Sequence, residues 1–157
     1  MPGEIERIMS RPVFMCRADD STDVAAQQMW DCDCGVIAVV NEHGALVGMI
    51  TDRDICMAAY TRGQRLCEIP VRDAMSTDLQ TCRATDSIGT VEAKMKDKRV
   101  RRIPVVDGSG QPIGMVSLND LARTAVRSAP SRAADVDRVA DTLAVICEPR
   151  NNAAHAA

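Results

Sequence analysis

The heptapeptides Gly48-Met49-Ile50-Thr51-Asp52-Arg53-Asp54 and Gly114-Met115-Val116-Ser117-Leu118-Asn119-Asp120 decide the fold, because they are two copies of one pattern. At an offset of 66 residues, positions 9–55 match positions 75–121 without a gap, and 16 of the 47 pairs are identical. Other pairs keep their chemical character, as Thr51 and Ser117 do. An internal repeat of this kind predicts two copies of one supersecondary unit.

Each copy predicts the order strand, helix, strand, strand, helix. An extended run at 13–16 or 79–82 precedes an Asp-Ser pair, whose side-chain oxygens favour the start of a helix. A β-branched run, a turn typical of a hairpin, a third strand and a second helix follow. The remaining predicted elements are 22–33, 36–40, 46–50 and 52–60 in the first copy, and 88–98, 103–106, 112–116 and 118–127 in the second. We therefore predict an α/β (α+β) fold of two β-α-β-β-α units.

The two units define the organisation of the chain. We assign repeat 1 to residues 5–62 and repeat 2 to residues 73–127. Residues 63–72 are predicted to be a linker, because Pro70 interrupts any helix there. Neither half is expected to bury its sheet alone, so the two repeats should form one module.

Residues 128–157 form a separate C-terminal extension. A hinge is predicted at 128–131, a helix at 135–147 and a disordered tail after it. The helix is predicted from apolar residues that share one helical face and would pack on the module or on a partner. These residues are Val136, Val139, Leu143 and Ile146.

The composition argues against several classes of function. The 157 residues contain three aromatic side chains, too few for a surface that stacks nucleic-acid bases, and the net charge of −3 argues against a duplex binder. No apolar run approaches the roughly 18 residues of a membrane helix. Seven cysteines without CxxC spacing and a polar N-terminus favour a reducing, cytoplasmic location with free thiols.

Further repeated elements accompany the two heptapeptides, namely Ile8-Met9-Ser10, Ala74-Met75-Ser76 and the strand Ile103-Pro104-Val105-Val106. Over about residues 5–127, the sequence resembles a tandem pair of CBS (cystathionine-β-synthase) domains. The resemblance implies two repeats packed by pseudo-twofold symmetry, with two clefts that can bind adenosine-containing ligands. It also implies a disc-shaped homodimer and a regulatory role toward a protein partner that the sequence does not identify.

The motifs Thr51-x-x-Asp54 and Ser117-x-x-Asp120 are the candidate binding residues. Hydroxyl-x-x-acid at a helix start is also a common capping box, which is the alternative interpretation. The same geometry suits a nucleotide, since helix amides attract phosphate and a carboxylate accepts from ribose hydroxyls. The resemblance implies one pair of these residues in each cleft. It implies further contacts from Met49, Met115 and the backbone around Val13 and Leu79.

The two clefts are not expected to be equivalent. Repeat 2 carries a basic run between its first helix and second strand, at Lys94, Lys96, Lys98, Arg99, Arg101 and Arg102. The alternative interpretation of the lysines is a solvated basic face, because runs of charge usually face water. A guanidinium beside a buried strand suits phosphate, and the resemblance implies Arg102 for the Asp120 cleft and Arg101 for the other. Val36 takes the place of Arg102 in repeat 1, so the sequence favours the Asp120 cleft.

Three hypotheses about function remain open at this stage. The first is a non-enzymatic sensor of AMP, ADP or ATP, with S-adenosylmethionine or NAD as substitute ligands. The second is a ligand-free interaction module whose terminal helix binds a partner. The third is a thiol redox sensor at Cys32-x-Cys34. We predict no enzyme activity and no metal site, because no nucleophile–base pair and no second close pair of thiols is evident.

Overall fold

The sequence repeat is visible as a structural repeat in a computed structural model, which describes residues 3–127 and 132–148. Its helices and strands are α1 (Glu4–Ile8), β1 (Met15–Arg17), α2 (Thr22–Asp31), β2 (Val36–Val40), β3 (Leu46–Thr51), α3 (Asp52–Arg62), α4 (Ile88–Lys98), β4 (Arg102–Val106), β5 (Pro112–Ser117), α5 (Leu118–Arg127) and α6 (Arg132–Cys147). The predicted mixed α+β class is confirmed. Helix α1 is an element that the sequence reasoning missed.

The two predicted hairpins form, with Ile37 opposite Ile50 in β2–β3 and Ile103 opposite Val116 in β4–β5. All four side chains are fully buried. The hairpins also meet at their turns, since the Leu46 amide donates to the Gly110 carbonyl at 3.0 Å. The two small sheets therefore lie within one module.

The first strand differs between the repeats because of one proline. In repeat 1, β1 runs parallel to β2, and the Ala38 amide donates to the Phe14 carbonyl at 3.0 Å. Pro104 stands at the position equivalent to Ala38 and has no N–H to donate. The prediction of a full strand at 79–82 is therefore wrong, and one parallel bridge between Cys82 and Val105 remains.

The N-terminal segments of the two repeats are exchanged between the two sheets. Ser10 pairs with Met115 of β5, through hydrogen bonds of 2.8 and 3.1 Å between their main chains. Ser76 pairs with Met49 of β3 in the same way, at 2.9 and 3.0 Å. Ile5, in α1, is fully buried within the core of repeat 2. Each sheet is thus completed by the N-terminal segment of the other repeat.

Two glycines make this exchange possible. A Cβ on Gly114 would lie 2.3 Å from the sulfur of Met9, and one on Gly48 would lie 2.5 Å from the sulfur of Met75. Distances this short do not occur between real atoms, so a larger residue would force the methionine side chain of the exchanged segment to move. The shared glycine of the two heptapeptides is therefore a packing requirement.

The predicted linker packs into repeat 1. It contains two short 3-10 turns, Leu66–Glu68 and Val71–Asp73. Ile69 and Val71 are fully buried, and the hydroxyl of Thr22 donates to the Leu66 carbonyl at 2.8 Å. This segment thus contributes to the core as well as connecting the repeats.

Helix α6 lies against α4 and α5 of repeat 2. It begins at Arg132, before the predicted start at 135. Val139 and Ile146 pack on the core of repeat 2, but Val136 and Leu143 are exposed, so the prediction of one apolar face is wrong in part. The reason is that the buried side also contains Thr142, whose hydroxyl is satisfied by the Arg138 carbonyl at 2.8 Å.

The predicted hinge at 128–131 and the tail beyond residue 148 lie outside the described residues. Within the two described ranges, no helix combines the length and the apolar character needed to cross a membrane.

Candidate functional site

The Thr51-x-x-Asp54 motif lies where β3 passes directly into α3. The Thr51 hydroxyl accepts a hydrogen bond from the Asp54 amide at 3.2 Å, and the Asp54 carboxylate accepts from the Thr51 amide at 2.9 Å. The same carboxylate oxygen also accepts from the Thr51 hydroxyl at 2.7 Å. This is a complete capping box, so the predicted capping role is confirmed.

The Ser117-x-x-Asp120 motif has the same geometry at the junction of β5 and α5. The Asp120 amide donates to the Ser117 hydroxyl at 3.3 Å, and the Asp120 carboxylate accepts from the Ser117 amide at 2.8 Å. Each repeat therefore places a hydroxyl, a carboxylate and the first amides of a helix at one point. Such a helix end carries a partial positive charge that attracts anions.

The two carboxylates differ in what else they bind. Asp120 is buried, and its second oxygen accepts from the Ser10 hydroxyl at 3.2 Å and from the Arg123 guanidinium. Asp54 is half-buried, and the hydrogen bonds that its side chain accepts from other described residues all come from Thr51. The Asp54 carboxylate is therefore the more accessible of the two, although the sequence favours the Asp120 cleft.

Ser10 and Arg123 are site residues that sequence reasoning missed. Ser10 lies 110 positions from Asp120 and reaches it through the exchanged segment. The repeat alignment held a signal for Arg123, because the equivalent position in repeat 1 is Met57. Arg123 thus neutralises the carboxylate in repeat 2, whereas no cation in the described part of the chain pairs with Asp54 in repeat 1.

The predicted strand residues lie beside the two boxes. Arg102 is directly opposite Ser117 in the β4–β5 pair, and Val36 is directly opposite Thr51 in the β2–β3 pair. Opposite residues of an antiparallel pair project from the same face of the sheet. Met49 and Met115, which we predicted as ligand contacts, are the residues that pair with the exchanged serines.

Arg101 and Arg102 are exposed, and neither forms an ion pair with another residue in the described ranges. The Arg101 carbonyl accepts from the Leu118 amide at 2.9 Å, which fixes its backbone at the start of α5. Val13 and Leu79 are half-buried. No hydrogen bond among the described residues connects either of them to a capping box.

The lysines of the basic run have other partners. Lys94 donates to the Thr81 carbonyl at 2.8 Å, and Lys96 pairs with Asp141 of α6 at 2.5 Å. Lys98 lies 3.8 Å from the neighbouring Asp97. The alternative interpretation, a solvated and structural basic face, therefore fits the lysines.

The cysteines are all free, and burial raises the pKa of three of them. Burial raises the pKa of both Cys16 and Cys82 to about 11, and the nearby carboxylates of Asp20 and Asp86 add to the effect. Burial also raises the pKa of Cys34, while the positive charge of Arg102 opposes that change. These three thiols are therefore less reactive than ordinary cysteines. Within the described ranges, no three Cys, His, Asp or Glu side chains cluster as metal ligands.

Thiol labelling at pH 8 should separate the cysteines into classes. Cys56, Cys67 and Cys147 are exposed and should react within seconds to minutes with an aromatic disulfide reagent. Cys16 and Cys82 should stay unmodified until denaturant is added, because they are buried and protonated at this pH. Peptide mass spectrometry identifies the modified sites, and rapid native labelling of Cys16 or Cys82 would contradict the described cores.

Comparison with known proteins agrees with the repeat and its junctions. The family model of the CBS domain matches twice, at residues 5–60 and 71–127. The chain belongs to the CBS domain family. It contains two CBS domains, and each match covers one capping box together with all or most of the helix that the box caps.

Similar CBS proteins come from bacteria and archaea. The CBS domain-containing protein YhcV of Bacillus subtilis is 34% identical over 120 residues, which cover 76% of this chain and 84% of YhcV. Protein MK0525 of Methanopyrus kandleri is 30% identical over 119 residues, and the chain spans 59% of its length. The solved CBS domain pair of protein MJ0100 has a TM-score of 0.68 at 26% identity, covering 76% of this chain and 93% of that structure. That structure is a complex with 5'-methylthioadenosine and S-adenosyl-L-methionine.

Proposed function

We propose that this CBS pair is a non-catalytic regulatory module that binds an adenosine-containing nucleotide, with AMP, ADP or ATP as the expected ligands. The accessible Asp54 carboxylate at the start of α3 is the observation that carries the proposal. Its free lone pairs can accept hydrogen bonds from the two hydroxyls of a ribose, and charged acceptors make the stronger bonds. We place the tighter site at Thr51 and Asp54, and a weaker one at Ser117 and Asp120.

The rest of the ligand has suitable neighbours. The amides of the first turn of each helix and the exposed guanidinium groups of Arg101 and Arg102 would bind phosphate. The adenine would lie against aliphatic side chains such as Val36, Met49 and Met115, and backbone groups near Val13 or Leu79 would read its edge. The adenosine-containing ligands of the MJ0100 pair support this class of ligand. S-adenosylmethionine and NAD share the adenosine and remain substitute ligands.

Occupancy would be transmitted through the helices. Helix α5 starts at the Ser117 box and packs along α6, so a ligand that shifts the box also shifts α6. A ligand at 100 times its Kd stabilises the state it prefers by about 2.7 kcal/mol. That free energy is sufficient to bias a soft contact between helices or with a regulated protein partner.

Isothermal titration calorimetry tests the proposal. The wild-type protein should bind AMP or ATP, and Asp54→Ala should weaken binding at the tighter site by about 10- to 100-fold, since a hydrogen bond to a charged group contributes about 1.5–3 kcal/mol. Asp52→Ala is the matched control. It removes an exposed carboxylate from the same first turn and should change the affinity less than about threefold.

Two results would contradict the proposal. Equal losses for Asp52→Ala and Asp54→Ala would place the ligand elsewhere. Absence of binding for AMP, ATP, NAD and S-adenosylmethionine at millimolar concentration would favour the ligand-free interaction module.

A further inference from the structure

A cavity of about 420 Å³ lies in repeat 2, where α1, α4, α5 and α6 meet, and we call it the α6 cavity. Its apolar lining includes Ile88 of α4, Leu121 of α5 and Val139 of α6. Small-molecule sites usually have volumes of about 300–1,000 Å³, so this cavity is large enough for a ligand. Neither capping box contributes a residue to its described lining.

The charged residues that line the α6 cavity are unbalanced. Glu4 of α1, Glu92 of α4 and Asp135 of α6 contribute carboxylates, and Arg138 of α6 contributes a guanidinium. Three carboxylates against one guanidinium give the described lining a formal charge of −2. A cavity with one predominant sign of charge attracts ligands of the opposite sign, so this one favours a cation.

Glu92 is the buried member of this group, with 4% of its surface exposed. Its Oε2 accepts a hydrogen bond from Nε of Arg138 at 3.1 Å. Its Oε1 is buried and has no hydrogen-bond partner among the described residues. Buried polar atoms in native proteins are normally satisfied, because an unpaired acceptor is costly. The cavity therefore has a charged acceptor that lacks a donor.

Arg138 does not satisfy both oxygens of Glu92, because its guanidinium is divided between two carboxylates. Nη1 of Arg138 lies 3.0 Å from Oδ1 of Asp135, while Nε donates to Glu92. Arginine often binds one carboxylate through two parallel hydrogen bonds, and that arrangement is not formed here. The contact with α6 thus explains Oε2 of Glu92 and leaves Oε1 available.

The fold does not require a carboxylate at position 92. The equivalent residue of repeat 1 is Ala26, which lines a smaller cavity of about 270 Å³ with Met29 and Ile55. Repeat 1 therefore forms the same helix pair without a buried charge at this point. Because burying a charge opposes folding, Glu92 calls for an explanation beyond packing.

Water alone would supply a hydrogen bond to Glu92 but no compensating charge. A protonated amine supplies both, since an ammonium group carries three donors and a positive charge. Its alkyl chain would contact the apolar part of the lining. The combination of apolar walls and excess carboxylates therefore fits an aliphatic amine better than a neutral or anionic ligand.

We propose that the α6 cavity binds a small aliphatic amine in its protonated form, with the ammonium group donating to Oε1 of Glu92. The carboxylates of Glu4 and Asp135 line the same cavity and are the further acceptors. The alkyl chain packs against Leu121 and Val139. This inference goes beyond nucleotide binding and does not depend on it, because the ligand, the cavity and the residues all differ.

Titration with butylamine, followed by methyl NMR, tests the proposal. Butylamine is protonated at pH 7 and should shift the methyl signals of Leu121 and Val139 in the wild-type protein. The uncharged analogue 1-butanol should bind about tenfold more weakly or less, since it lacks the charge-assisted hydrogen bond. Equal affinities for the two compounds would contradict a site that selects cations.

Glu92→Gln keeps the shape of the side chain and removes its charge. It should weaken butylamine binding about tenfold or more, because the charged acceptor is lost. Asp137→Asn is the matched control, since Asp137 is an exposed carboxylate of α6 outside the described lining. The control should change the affinity less than about twofold, and equal losses in both variants would show nonspecific attraction to acidic side chains.

Two further variants separate binding from the packing of α6, because Glu92→Gln also alters the contact with Arg138. Glu4→Gln changes an exposed residue whose side-chain oxygen can still accept from the Ile88 amide, so it should weaken binding without changing the midpoint of unfolding. Arg138→Gln removes the competing cation and should strengthen binding. A purely structural role for Glu92 predicts no dependence of amine binding on either residue.

Absence of methyl shifts at millimolar butylamine would overturn the proposal and leave the cavity to water. Unchanged affinity in Glu92→Gln would overturn it as well. The Glu92→Gln protein should bind AMP or ATP with wild-type affinity, which keeps the two proposals separate. Nucleotide binding without amine binding refutes the amine site alone, and amine binding without nucleotide binding refutes the proposed function alone.

Discussion

Replacing Ile5 by alanine is expected to lower the free energy of unfolding by about 2–5 kcal/mol, the range for large-to-small changes in a core. Ile5 lies at the very start of the first repeat, yet it is fully buried in the core that contains Met95, Ile103 and Leu121 of repeat 2. Guanidinium unfolding measures the loss. Arg7→Ala, an exposed position of the same short helix, is the control and should stay within about 0.5 kcal/mol of wild type.

The same experiment reports on cooperativity. Because each sheet is completed by chain from the other side of the module, the two repeats should unfold in one transition, observed identically by Trp30 fluorescence and by circular dichroism. An effect of Ile5→Ala below about 0.5 kcal/mol would contradict the exchange of segments. Two separate transitions would show that the repeats are independent.

The repeat could be predicted from sequence because its signals are local. β-branched runs, Gly-containing turns and the spacing of Thr51 and Asp54 each report on a few neighbouring residues. Helix α1 has no such signal, since it spans five residues and buries only Ile5. Its position depends on Gly114, which leaves room for Met9, and that contact joins residues far apart in sequence.

Which apolar residues of α6 are buried could not be predicted from the sequence either. Periodicity placed Val136, Val139, Leu143 and Ile146 on one face, which spans a wide arc of the helix. Tertiary contacts divide that arc. The Thr142 hydroxyl donates to the Arg138 carbonyl, so Thr142 can be buried while Leu143 stays exposed. Sequence alone identified the helix and its apolar residues, but the partner surface decides which of them are covered.

The candidate site was predictable in its chemistry but not in its accessibility. Both capping boxes follow from residue types at a fixed spacing. The hydrogen bonds that already fill the Asp120 carboxylate could not be predicted in this way, because one of its donors, Ser10, lies far away in the sequence. The same residue types thus produce one accessible carboxylate and one that is already satisfied.

Replacing Asp120 by alanine is expected to lower the free energy of unfolding by about 2–4 kcal/mol, from a lost cap and from donors left without an acceptor. The buried carboxylate binds the Ser117 amide and hydroxyl, the Ser10 hydroxyl and the Arg123 guanidinium. Asp54→Ala should cost only about 1 kcal/mol, the usual value of a helix cap. Urea unfolding of both variants measures the difference, and equal losses would contradict it.

The hydrogen bonds that make Asp120 the costlier residue to replace also affect how the proposed ligand would bind beside it. If the proposed ligand binds at Asp120, its ribose would have to displace the hydrogen bonds that Arg123 and Ser10 donate to that carboxylate. Under the proposed function, binding there would therefore be weaker and would compete with the Ser10 and Arg123 side chains, whereas binding at Asp54 would require neither change. Arg123→Met, which introduces the residue found at the equivalent position 57, should strengthen binding at the weaker site several-fold without changing the tighter one. Unchanged affinity at both sites would show that Arg123 does not compete with the nucleotide.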